Sequence, residues 1–326
     1  MGARRVLICY HNVVAEPGKT KVHKHDNSIT RLLDVFLVIP LRMLFSFLPS
    51  NTPMFIYVTL LSPPPLRAFT HALLRKLVKD ELQLPEGVLL LNKNDPIVSG
   101  ALSLGVYEAF FGSLYRRKLH SKMTVVDIGA NLGYYTLIAS KHTQRVIAFE
   151  PEPENAALLE RTIERNSLAN VTLIRKGLGE KAAMLTLSLH PDNKGKHTLL
   201  PLSEKGVTSQ EIAVTTLDTA LAEIGVTHVD LIKIDIEGWE AKALRGANAT
   251  IRASHPLLLF EFTPHRIRAA GDDPLCMLDE LENEGYTLFI IDENHATLLP
   301  LDPEKLIMKL DMNDAYVNIF AESHAI

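Results

Sequence analysis

From residue 124 onward, apolar and polar positions follow one rhythm. A short run of aliphatic, often β-branched residues ends at a glycine, a proline or an acid, and a segment with apolar positions at helical spacing follows. The pattern predicts strands at Thr124–Val126, Arg145–Glu150, Val171–Arg175, Val229–Ile234 and Pro256–Phe262. It predicts helices at Tyr134–Ser140, Glu154–Asn166, Leu217–Ile224, from Trp239 to about Ala247, and Pro274–Glu284. Gly177 and Gly179 read as a turn. Ala183–His190 alternates, which suggests an antiparallel arm, Glu211–Thr215 reads as a further strand, and the polar stretch Pro191–Gly206 reads as a loop. Tyr286–Ile291 and Ala315–Ala321 are the last two strands. With no helix of sheet-crossing length evident between them, they should pair antiparallel. Strands alternating with helices predict a doubly wound α/β sheet.

Ahead of this region, Gly87–Leu91 reads as a short strand. Ala101–Leu119 reads as one helix with Tyr107, Phe110, Phe111 and Leu114 on one face and Glu108 among them. Leu66–Leu82 has helical spacing. Pro63–Pro64–Pro65 breaks the chain into a segment 1–65, a polar arm with an apolar helical extension, and a main domain 66–326. Leu32–Leu48 is the most apolar stretch, yet it is shorter than the roughly 20 residues of a spanning helix and contains Asp34, Pro40 and Arg42. Together with Met54–Leu61 it reads as short helices covering the main domain. Peripheral membrane contact through 32–61 is the alternative expectation.

Composition narrows the class. Of the 326 residues, 47% are hydrophobic, enough for a sizeable core, and the net charge of -4 gives no nucleic-acid footprint. Cys9 and Cys276 are too far apart for a disulfide framework or zinc spacing, and no secretory signal pattern is read at the start, so a cytoplasmic setting is expected.

The chemistry centres on Thr124–Ser140, TVVDIGANLGYYTLIAS, a strand, a glycine turn and a helix. Gly129 lets the backbone turn sharply and approach a ligand, and Gly133 removes a Cβ where the helix packs on the strand. Asp127 brings an acceptor-only carboxylate, and N–H groups at the helix start suit a carboxylate. The next strand, RVIAFE, ends in Glu150, about 20 residues beyond the glycines, where such an acid accepts hydrogen bonds from ribose hydroxyls. Asp127, Glu150, Asp235 and Glu261 all fall at or near strand ends. Four acids on one rim repel unless a cationic, hydroxyl-rich ligand sits among them. S-adenosylmethionine has the ribose, the ammonium and the sulfonium; a pyrophosphate would prefer a less acidic loop.

The stretches VVDIGANLGYYTLIAS, AFEPEPENAALLERTIERN, LDTAL and LIKIDIEGWEAKALRGA, with VYEAF ahead of the first strand, resemble the FkbM family of S-adenosylmethionine-dependent methyltransferases over about Val98–Phe320. The resemblance implies a class I methyltransferase (Rossmann-like) fold, a seven-stranded doubly wound sheet with a C-terminal antiparallel β-hairpin behind the N-terminal helical extension. It implies O-methylation of a hydroxyl on a small-molecule or glycan acceptor, such as a sugar or natural product. It also implies cofactor contacts at Asp127, Gly129, Asn131 and Glu150, with Asp235 beside the methionine end. Ala130, Gly133, Tyr135, Pro151 and Glu108 complete the candidate cofactor-binding set. Two departures from the family pattern stand out. Trp239 follows Glu237–Gly238, which would narrow the acceptor pocket, and Lys176–Gly177–Leu178 brings no acid for the adenine amino group.

Methyl transfer to a hydroxyl needs alignment of the acceptor and a base for its proton. The candidates are Asp235, Glu237, Glu261 and His265. Glu237 is preferred, since it points from the strand end toward the acceptor side. A metal-assisted variant using Asp235 and Glu237 is the alternative, but it would need a third ligand of recognisable spacing, and none is read, so no metal is expected. The other readings are an NAD(P)-dependent Rossmann oxidoreductase, disfavoured by the missing G-x-G-x-x-G, and a catalytically inactive cofactor-binding module.

Overall fold

The computed structural model describes residues 78–191, 193–312 and 315–323. The arm and apolar segments expected within 1–65 lie outside the described residues, as does most of the helix expected at 66–82. The end of that stretch belongs to strand β1, Glu81–Leu84, which forms an antiparallel hairpin with β2, Gly87–Leu90.

The helix expected over Ala101–Leu119 is two helices, α1 (Val98–Leu104) and α2 (Ala109–Lys118). Gly105 turns left-handed at φ 72° and Glu108 at φ 39°, which ends the first helix and restarts the chain in a new direction. The two pieces pack on different partners: Phe110, Phe111, Leu114 and Tyr115 of α2 join a cluster with Val125, Val146 and Leu231, whereas Val98 and Leu102 of α1 join one with Leu82 and Leu89 of the β1–β2 hairpin and with Leu137.

The main sheet is built from β3 (Thr124–Ile128), β4 (Arg145–Phe149), β5 (Val171–Ile174), β9 (Leu231–Ile234), β10 (Leu257–Phe262), β11 (Tyr286–Asp292), β12 (Thr297–Pro300) and β13 (Val317–Ser323). Its order is β12-β11-β13-β10-β9-β3-β4-β5. The sheet therefore has eight strands, not seven; the extra one is the edge strand β12, paired antiparallel with β11. β5, β4, β3, β9 and β10 are parallel, and β13 inserts antiparallel between β10 and β11. The Rossmann-like arrangement and the antiparallel β11–β13 pair agree with expectation. The connection between that pair does not: β12 and a helix, α10 (Pro303–Asp311), lie between them. Pro300, Pro303 and the polar residues around them hid these short elements.

Helices cross on both faces. α3 (Tyr134–His142) links β3 to β4, and α4 (Pro153–Arg165) links β4 to β5. Val125 and Val146 turn into one core cluster with Phe111, Tyr115 and Ile138, while Val126 and Ile147 turn into the other with Leu217, Leu244 and Leu278. Coverage of both faces is why these strands read as unbroken apolar runs. Pro153 starts α4, and the Glu152 carboxylate accepts from Asn155 N at 2.6 Å as its cap.

Between β5 and β9 a small sheet forms from β6 (Gly177–Leu178), β7 (Ala183–Leu189) and β8 (Thr208–Thr215), and helix α5 (Leu217–Glu223) follows. The antiparallel arm is as expected. The Gly177–Gly179 turn is instead a short strand, parallel to β8. After β9 come α6 (Glu240–Arg245) and α7 (Asn248–Ser254), where one helix to about Ala247 was expected; the two are separate because the chain turns at Gly246–Ala247. After β10 come α8 (Pro264–Ala269) and α9 (Pro274–Asn283). No helix among the described residues is long and apolar enough to cross a membrane.

Candidate active site

β3 is the switch point of the sheet: connections on its β4 side build one half and those on its β9 side the other. Ligands of such sheets bind outside the carboxyl ends of the strands at this point. A cavity of about 1470 Å³ opens there, lined by the ends of β3, β4, β9 and β10, the β7–β8 arm and the β11–β13 end.

The glycine turn is fixed by two contacts. Gly129 has φ 74°, and a Cβ there would stand 1.9 Å from the Asp235 carbonyl oxygen. Gly133, at φ 95°, leaves no room for a Cβ, which would stand 2.4 Å from Leu159 Cδ1. It therefore makes way for α4 rather than for its own strand, and it does not line the cavity. The loop amides are committed within the protein. Gly129 N and Ala130 N both donate to Phe149 O, Asn131 N to Glu150 Oε2, Leu132 N to Asn131 Oδ1 and Gly133 N to Ala130 O. The loop N–H groups expected to meet a ligand carboxylate thus already have partners.

Glu150 is buried at the end of β4. Oε2 accepts from Asn131 N at 2.8 Å and Oε1 from Glu152 N at 2.9 Å. Burial pushes its pKa up to about 7 against those two bonds. Each oxygen keeps a lone pair for a further donor. Pro151 lines the cavity beside it, and Ala130, Asn131 and Tyr135 line it across the turn.

Asp127 does not line the cavity. It is fully buried under the turn, accepting from Thr136 Oγ1 at 2.6 Å, with Lys233 Nζ 3.5 Å from its other oxygen. Lys233 is not among the site residues expected from the sequence, although a lysine inside the apolar run VDLIKI is itself a signal. Its Nζ hydrogen-bonds Gly129 O at 3.1 Å and lies 3.6 Å from Asp235 Oδ2. Burial works against its charge, but Asp235, Asp127 and Glu108 prevail and raise its pKa.

Glu108 is not on a wet helix face. It starts α2 in a left-handed conformation and turns its carboxyl into the cavity, where Tyr135 OH donates to it at 2.5 Å. Burial, then the charge of Asp235, pushes its pKa up to about 7. Asn131 and Glu237, at φ 51° and 56°, are also left-handed and line the same cavity. Strained backbone of this kind gathers where geometry is imposed by function.

On the β9 and β10 side stand Asp235, Glu237 and Glu261, with carboxylate oxygens within 4.8 Å of one another. Glu261 is the third carboxylate that spacing alone did not bring to this point. Burial, then Asp235 and Glu240, raises its pKa well above the usual range, and Thr263 Oγ1 donates to it at 2.9 Å. Glu237 is ion-paired to the Arg266 guanidinium, and Lys233 stands by Asp235, so protein cations answer two of the three charges. Arg266 carries no sequence signal, because only the fold brings α8 back across the end of β9. His265 lines the cavity from the first turn of α8, not from a loop.

Glu240, also unremarked in the sequence, builds the turn that carries these acids. Its buried carboxyl accepts from Ile236 N and Gly238 N, and burial raises its pKa to about 7. Thr198 Oγ1, from the segment after β7, donates to Glu237 O at 2.8 Å and ties that arm to the turn. Trp239 lies at the β6 end of the cavity, 3.2 Å from where a Gly179 Cβ would be, beside Gly177, Leu178 and Ile212. It therefore stands by the Lys176–Leu178 segment rather than only narrowing the acceptor side.

The family model described as the methyltransferase FkbM domain matches residues 127–288. Methyltransferase 1 of Beauveria bassiana is 30% identical over 142 residues, 37% of this chain and 57% of its own length. Methyltransferase sdnD of Sordaria araneosa is 28% identical over 161 residues, 40% of this chain and 62% of its own. The 31-O-demethyl-FK506 methyltransferase FkbM of Streptomyces tacrolimicus is 27% identical over 201 residues, 52% of this chain and 76% of its own. The chain thus spans about six-tenths of the length of the first two relatives.

Proposed function

Residues 127–288 form a domain of the FkbM methyltransferase family, and from that premise we propose that the cavity binds S-adenosylmethionine and directs its methyl group to a hydroxyl of a small-molecule or glycan acceptor. The observation that carries the reading is Glu150. Its two oxygens are held by Asn131 N and Glu152 N, with lone pairs left beside the Gly129 turn. That is the chemistry a ribose diol requires. Leu178, Ile212 and Trp239 line the same cavity and offer apolar surface for the face of a purine. The cavity exceeds the roughly 300–1,000 Å³ of an ordinary small-molecule pocket, which supports room for a donor and an acceptor together.

The donor supplies a methyl group already activated by the sulfonium. The protein's part is alignment and proton removal. Glu237 is anchored by Arg266, which weakens it as a base. Glu261 accepts from the neutral Thr263 Oγ1, and burial raises its proton affinity, so it is the better placed to take the acceptor proton. Asp235 and Glu108 face the ammonium of the donor. The Streptomyces relative is a methyltransferase named for a 31-O-demethyl compound, which supports an oxygen acceptor.

The test is titration calorimetry with S-adenosylhomocysteine and with NADH, followed by incubation with methyl-labelled donor and hydroxylated acceptors. Tight binding of S-adenosylhomocysteine with no NADH binding is expected. The opposite preference would return the chain to the oxidoreductase reading, and donor binding without transfer to any acceptor would favour an inactive module.

A further inference from the structure

The amino-acid end of the proposed donor is a zwitterion, and the cavity is unevenly prepared for it. Asp235 and Glu108 face the space with carboxyl groups that answer an ammonium. A carboxylate among them needs a positive group. The backbone amides of residues 129–133, the usual resource of a glycine turn, are already bonded within the protein.

Lys233 is placed to fill the gap. It comes from β9, where it is the register partner of Asp127 on β3, and it forms part of the cavity floor although only 3% exposed. Its closest contact is Gly129 O at 3.1 Å; Asp127 and Asp235 stand at 3.5 and 3.6 Å, too long for strong hydrogen bonds. The Tyr135 ring lies 5.3 Å from Nζ and holds the ammonium beneath the turn. An ammonium has three donors, and one close bond leaves capacity for another acceptor.

We infer that Lys233 answers the carboxylate of the donor's methionine end, leaving Asp235 and Glu108 to its ammonium. The inference rests on the proposed donor. It assigns a binding role to the one charged residue of β9, Leu231–Ile234.

The experiment compares three probes by calorimetry on the full chain. S-adenosylhomocysteine has both charged groups, decarboxylated S-adenosylmethionine has only the ammonium, and methylthioadenosine has neither. Lys233→Met is the first variant. Because it leaves Asp127 buried without its cation, Lys233→Met with Asp127→Asn is the second. In both, S-adenosylhomocysteine should bind about 10-fold or more weakly, while methylthioadenosine stays within about 3-fold and decarboxylated donor is not weakened. Equal losses for all three probes would make Lys233 a structural residue, and no loss for S-adenosylhomocysteine would also overturn the assignment. A wild-type protein that binds none of the probes would instead overturn the donor reading, and the inference with it.

Discussion

Replacing Glu150 by alanine tests the centre of the proposed site, and its cost can be worked from the contacts. In the free protein the substitution orphans Asn131 N and Glu152 N, now bonded at 2.8 and 2.9 Å in a buried position. Each buried N–H left without a partner costs about 1–3 kcal/mol. Part is regained, because burial already disfavours the Glu150 charge and holds its pKa near 7. The net loss of stability should be roughly 1–4 kcal/mol. Donor binding should suffer more, since two ribose hydroxyls lose a charged acceptor at about 1.5–3 kcal/mol each. The sum, about 3–6 kcal/mol, corresponds to roughly 10²–10⁴-fold weaker binding. The assay is calorimetry with S-adenosylhomocysteine at pH 8, where the wild-type carboxyl is ionised, together with a thermal melt. Glu150→Gln keeps the volume but turns an amide NH₂ toward one of the two backbone donors, so it should recover only part of the affinity. A Glu150→Ala protein that melts cooperatively and binds S-adenosylhomocysteine within about 3-fold of wild type would refute the clamp.

Four further outcomes are expected. Gly129→Ala forces a Cβ to 1.9 Å from Asp235 O at a left-handed φ, so donor binding should fall by more than about 10-fold in calorimetry; normal affinity would mean that the turn has room for a side chain. Glu240→Ala orphans Ile236 N and Gly238 N and should lower stability by about 1–3 kcal/mol in denaturant titration, an outcome that a neutral result would contradict. Glu261→Gln should cut turnover by about 10²-fold or more with little change in donor affinity, whereas Glu237→Gln should cut it less; the reverse order would restore Glu237 as the base. Glu108, Glu150 and Glu240 hold protons up to about pH 7 in the folded chain but lose them near 4.5 when unfolded, so their stabilisation is complete below about 4.5 and is lost as pH rises through 7. His197, held neutral down to about 4 by burial, opposes this only below about pH 6.5. The ligand-free protein should therefore melt higher at pH 6 than at pH 8, by on the order of 1 kcal/mol per carboxyl, and a melting temperature that rises over that interval would count against the buried cluster.

Local pattern was enough for the framework. Apolar runs covered on both faces, broken by glycine and proline, fixed where the parallel strands begin, and the acid after RVIAF marked the end of β4 because a strand end is a local event. The same locality explains the misreadings. One apolar face ran through Ala101–Leu119, so a break made by the left-handed Gly105 and Glu108 was invisible, and with it the turning of Glu108 into the cavity. The short β12 and α10 lacked the length from which periodicity can be read.

The residue types of the site were set by the chain: acids at the strand ends, glycines in the turn, a lysine within a buried strand. Which of them meet was decided only by folding. Asp127 looked like a ligand contact and is instead sealed beneath the turn, because its register against Lys233 points it into the interior. Glu261 joins Asp235 and Glu237, and Arg266 claims Glu237, because adjacent parallel strands bring their ends together whatever their separation in sequence. Periodicity is carried by near neighbours and survives in the one-dimensional record; charge pairing and burial depend on distances that exist only once the sheet has closed.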